Sequence, residues 1–122
     1  MNPLQDLKPG KLYNAGRQAC RLLRKQAAEV SVRHKLLEIE NSGAHCCALL
    51  ALHVCRFDGV PSRNTSASFE EIRQITGIQA RLASLIQLQQ RIVEQLKEML
   101  PHAGDDRLYS DLRYMLELHQ KA

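Results

Sequence analysis

Five residues that bind metals or act as nucleophiles crowd one short stretch: His45, Cys46, Cys47, His53 and Cys55, with Cys20 further upstream. Imidazole and thiolate are the ordinary ligands of zinc, so the first chemistry to test is a metal centre. On one helix, ligands to a shared ion stand at i,i+3 or i,i+4, and no pair among these five does. Two helical turns separate side chains by about 11 Å, whereas zinc holds its ligands at about 2.0–2.3 Å. The same geometry denies Cys46 and Cys47 a histidine base on their own helix. These cysteines read as small hydrophobes of a core. The expectation is no metal and no cofactor.

Other reactive types fare no better. Glu70-Glu71 and Asp105-Asp106 are paired carboxylates, but both pairs stand at helix starts, where negative charge suits the macrodipole. There is no Gly-rich phosphate loop and no nucleophile beside a base. The expectation is a protein that is not an enzyme.

Charge is distributed unevenly. The 122 residues carry a formal net charge of +4. Residues 1–35 hold eight Lys or Arg against Asp6 and Glu29, and the remainder is slightly acidic. A basic first third attracts polyanions through phosphate neutralisation. By that chemistry the candidate DNA contacts are Arg17, Arg21, Arg24 and Lys25. Arg73 and Arg81 join them from a second segment, and Gln79 is placed to read a base edge.

The elements that would position these residues are helices throughout. With 44% hydrophobic and 25% charged residues, the chain has an ordinary globular balance and a length suited to one domain. The most apolar run, within Ala44–Val54, is far short of the roughly 20 residues of a membrane span. No secretory leader follows Met1, which points to an intracellular protein. Residues 1–10 form a lead ending in the turn Lys8-Pro9-Gly10. Lys11–Val30 carries Leu12, Gly16, Ala19, Cys20, Leu23, Ala27 and Val30 at helical spacing, with Gly16 admitting a close neighbour.

Ser31–Glu40 either continues this helix or begins another, and Asn41-Ser42 reads as a cap for Gly43–Phe57. Apolar residues occupy most of that helix's circumference, so it is expected at the domain's centre, with Cys46, Leu49, Leu50 and Val54 inaccessible. Asp58-Gly59-Val60-Pro61 stops it. Ser68 and Glu71 form a capping box for a short helix ending at Thr76-Gly77. Ile78–Leu100 is amphipathic, with Ile78, Leu82, Leu85, Ile92, Leu96 and Met99 on one seam that Gln89 interrupts. Asp105 starts a last helix with Leu108, Leu112, Met115 and His119 aligned. The fold class is all-α: a helical domain over 11–100 with about five helices, then a C-terminal helix over 105–122.

The run from Ser42-Gly43-Ala44-His45-Cys46-Cys47 to Asp58-Gly59-Val60-Pro61, followed by Ser68-Phe69-Glu70-Glu71-Ile72 and Thr76-Gly77-Ile78, resembles a cyclin box of the transcription factor IIB type. Within that superfamily it is most similar to the first box of subunit six of the origin recognition complex. The short start through Lys11-Leu12-Tyr13-Asn14-Ala15 and the Cys- and Ala-rich His45–Ala51 stretch carry that choice. The resemblance implies a nuclear, non-enzymatic module of replication initiation. Its implied partners are DNA, held weakly through phosphates, and other subunits of the assembly, with no membrane. The alternatives are a helical protein–protein scaffold, self-association included, and a general transcription factor module.

Overall fold

A computed structural model describes residues 8–56 and 67–121. These form five α-helices and no strand: α1 Lys8–Gln26, α2 Val30–Arg56, α3 Ala67–Gln74, α4 Ile78–Met99 and α5 Asp106–Lys121, with a 3₁₀ turn at Leu100–His102 between the last two. The domain is all-α, as its periodicity predicts. The four long helices are neighbours in the ring order α1, α2, α5, α4, and α3 lies against α1 and α4.

Helix α1 is the most deeply covered element. Leu12, Tyr13, Ala15, Ala19, Cys20 and Leu23 are all buried, as is Ala27 just past its end. Gly16 explains how α4 comes so close: a Cβ there would stand 3.3 Å from Gln89 Nε2. The α4 seam closes this core with Leu85, Leu88, Ile92 and Leu96. The α5 stripe of Leu108, Leu112, Met115 and Leu116 belongs to the same cluster rather than to a separate one. Asp105 starts α5 as its spacing predicts, its Oδ1 accepting the Leu108 N–H at 2.8 Å.

Helix α1 takes in Lys8-Pro9-Gly10, expected as a turn, and stops at Gln26, so Val30 is not on its buried face but starts α2, exposed. Two readings of α2 are corrected as well. Asn41-Ser42 does not cap a helix, because α2 runs unbroken from Val30 to Arg56. The reason is tertiary: Leu36, Glu40, Gly43, Cys46 and Leu50 form one buried stripe against α1 that would be lost if the helix broke. A Cβ at Gly43 would sit 3.2 Å from Arg17 Cγ, so the glycine permits this approach. The second correction concerns the apolar Gly43–Phe57 segment. It is not surrounded. Cys46, Leu50 and Val54 are buried, but Leu49 is half-buried, and Ala48, Leu52 and Cys55 are exposed. Phe57, the Asp58–Pro61 stop and the Ser68 side chain of the expected capping box lie outside the described residues.

Candidate functional site

The structure divides the seven expected DNA contacts among three places. Arg17 lies along Gly43, with its guanidinium beside the Cys47 thiol. Arg21, Arg24 and Lys25 line a groove between α1 and α2, and Arg33 and His34 join them from the α2 side. Arg73 and Arg81 sit at the α3–α4 turn. There Arg81 donates to the carbonyl oxygens of Ile75 and Arg73 and to Gln26 Oε1, each at 2.7 Å. It satisfies the free carbonyls at the end of α3 and ties that turn to α1. Gly77 makes the turn with a φ of 93°. Arg73 pairs with Glu70 at 2.8 Å, and Gln79 is exposed.

The groove has a feature that charge counting misses. Glu40 is buried beside it. Its Oε1 accepts the Arg21 Nε–H at 2.7 Å. Arg24 Nη2 lies 2.6 Å from Oε2, an ionic contact outside hydrogen-bond alignment. One carboxylate thus orients two guanidinium groups from consecutive turns of α1. Spacing held the signal: Leu36, Glu40 and Gly43 recur at intervals of four and three, placing Glu40 on the buried stripe.

A second polar cluster crosses the core between α1 and α5. Tyr13 Oη and His119 Nε2 are 2.6 Å apart, and the two rings stack at 5.5 Å. Burial pushes the Tyr13 hydroxyl far above its ordinary range, and the nearby Cys46 and Cys47 thiols add to the shift. Burial pushes the His119 imidazole down. Burial thus favours the neutral form of both groups, and one hydrogen bond joins the Tyr13 hydroxyl to the His119 imidazole. His119 also borders a hollow of about 250 Å³ that Gln89 and Ser42 help to line.

Helices α2 and α5 are fastened by His53 Nε2 to Asp111 Oδ2 at 2.5 Å and by Arg56 to Asp105. The Asp105 carboxyl is held below its ordinary range by the Leu108 amide, with the Arg56 guanidinium adding to the effect.

Cys20 and Cys46 are buried and Cys47 is half-buried. Burial pushes the Cys20 thiol up to about 12, and it raises Cys46 and Cys47 as well. Cys55 alone among the four is exposed. Among the described residues, no group of three or more His, Cys, Asp or Glu is placed to hold a metal ion.

Residues 9–122 match a single family, a domain of unknown function designated DUF6306. The chain belongs to that family. No curated protein and no solved structure matches it. The family match covers nearly the whole chain and brings no tie to the cyclin box or to the origin recognition complex.

Among the described residues of this DUF6306 domain, α2 carries an exposed apolar stripe. His45 packs against Tyr114 of α5 with ring centroids 5.6 Å apart. Ala48, Leu52 and Cys55 continue from His45 along α2 at intervals of three and four, all exposed. No Asp, Glu, Lys or Arg occurs between Glu40 and Arg56. Among the described residues no helix is long and apolar enough to cross a membrane.

Proposed function

We propose that the domain is a protein-docking module that works by helix pairing rather than by catalysis. One observation carries this reading: the second half of α2 is apolar on every side, yet the bundle covers only one side. Uncovered apolar surface of this kind marks interaction sites.

The occupant is a second copy of the chain. Two molecules of charge +4 repel each other except where they meet on neutral surface, and residues 41–55 carry no charged side chain of either acidic or Lys/Arg type. Ala44, Ala48 and Ala51 keep that side of α2 thin enough for close helix approach. An antiparallel two-fold pairing sets each stripe against itself and opposes the two helix dipoles. DNA contact is less favoured, because Arg17, Arg73 and Arg81 are engaged within the domain.

Sedimentation velocity over a concentration series tests the reading. The wild-type chain is expected to shift from monomer to dimer with rising concentration. Leu52→Arg is expected to stay monomeric while keeping its helical circular dichroism. A wild-type chain that remains monomeric at several hundred micromolar removes the proposal.

A further inference from the structure

We propose that the groove between the end of α1 and the start of α2 is a binding site for a phosphomonoester dianion on a small organic ligand. This does not depend on the docking stripe, which lies further along α2.

Three observations converge. The first is shape. Arg21, Arg24 and Lys25 of α1 and Arg33, His34 and Leu37 of α2 line an open groove of about 530 Å³. That is within the roughly 300–1,000 Å³ of small-molecule sites. The second is charge. Four permanent cations, Arg21, Arg24, Lys25 and Arg33, line the groove, and Glu40 beside it pairs with Arg21 and Arg24. Lys25 and Arg33 have no acidic partner among the described residues. The first turn of α2 itself contains no Asp or Glu, and Glu29 stands directly before it, its carbonyl oxygen accepting the Arg33 N–H at 3.1 Å.

The third observation is preorganisation. Arg21 spends only its Nε on Glu40, and Arg24 engages through a single Nη. The two Nη groups of Arg21 and the second Nη of Arg24 take no part in these contacts, whereas Arg24 Nε is buried. A guanidinium fork of this kind matches phosphate oxygens in pairs. Glu40 thus acts as a positioning residue: it holds the donors and does not touch the ligand. Leu37, exposed and large, provides an apolar floor beside the cations for the organic part of the ligand.

The position of Glu40 separates this proposal from a diffuse basic surface. A surface field depends on net charge alone, so Glu40→Gln, which removes a negative charge, would tighten anion binding. An organised site predicts the reverse, because Arg21 and Arg24 lose their anchor. Isothermal titration with phenyl phosphate and with inorganic pyrophosphate distinguishes the two.

The wild-type chain is expected to bind both probes saturably at one site. Arg33→Gln with Lys25→Gln, two exposed residues without partners, is expected to weaken binding about tenfold or more, the size of a lost charge-assisted bond. Glu40→Gln is expected to weaken binding severalfold, and Arg107→Gln on α5 to change nothing. The proposal is overturned by absence of saturable binding at 10-millimolar probe or so, by tighter binding in Glu40→Gln, or by equal losses in Arg107→Gln and the Arg33/Lys25 double variant. Circular dichroism establishes that each variant is folded. If Glu40→Gln fails to fold, the Arg33/Lys25 and Arg107 variants still decide the matter.

Discussion

Replacing Leu50 and Leu52 by alanine, separately and together, tests the one-sided burial of α2 most directly. The two leucines are two residues apart on the same apolar helix, and sequence patterning treats them alike. In the structure Leu50 is 2% exposed and Leu52 is 50% exposed. Leu50→Ala removes three buried methyl or methylene equivalents from close-packed surroundings and leaves a cavity, at a cost of about 2–5 kcal/mol. Leu52→Ala gives up only the covered half of a side chain whose full burial is worth about 2 kcal/mol, so it should cost about 1 kcal/mol or less. A chain of this length loses about 3–6 °C of melting temperature per kcal/mol. Leu50→Ala should therefore melt roughly 6–30 °C below wild type, and Leu52→Ala within about 6 °C.

Urea denaturation followed by circular dichroism at 222 nm gives the free energies, and thermal melts check them. The work must be done at low micromolar concentration, because a dimer formed through Leu52 stabilises the native state by mass action. Under those conditions the double variant should show the sum of the two costs, since the side chains point to opposite sides of the helix. Equal losses at the two positions, or a larger loss at Leu52, would refute one-sided burial and restore α2 as the surrounded centre of the fold.

Two further outcomes follow from the titrating groups. The folded-state pKa of His119 lies below its ordinary value of 6.5, so the unfolded chain takes up a proton first and stability should begin to fall as pH drops below about 6.5. The Asp105 carboxyl is likewise depressed, so its contribution should be present above its ordinary value of 3.8 and lost as pH falls further. Urea midpoints from pH 8 to pH 3 should show both windows, and His119→Gln should flatten the first alone; an unchanged upper window in that variant would contradict the assignment. Titration of the native monomer with Ellman's reagent should modify Cys55 promptly, with Cys20 and Cys46 reacting only on unfolding. Rapid modification of all four thiols would place the core elsewhere.

The all-α class, the long α4, the Asp105 start of α5 and the seam through Leu85, Ile92 and Leu96 were legible in the sequence. In those segments the apolar period is regular, and start signals and stripe agree. The same spacing argument shows that His45, Cys46, Cys47, His53 and Cys55 cannot share a metal as a set on one helix, since helix geometry alone separates them. What periodicity could not decide was which side of an all-round apolar helix would be covered. Leu50 and Leu52 have one side-chain chemistry, and only the positions of α1 and α5 bury the first and leave the second in solvent. Nor could local signals show that α2 continues through Asn41 and Ser42. The cap preference of those residues is worth about 1 kcal/mol, less than the packing of Leu36, Glu40 and Gly43 against α1. The basic residues make the same point. Sequence charge grouped Arg17, Arg21, Arg24, Lys25, Arg73 and Arg81 as equivalent cations. Tertiary contacts separated them, because Glu40, the α3 carbonyls and the Cys47 thiol each claim particular guanidinium groups. Charge is a property of composition, but which charges remain available to a ligand depends on the partners that the fold brings within about 3 Å of them.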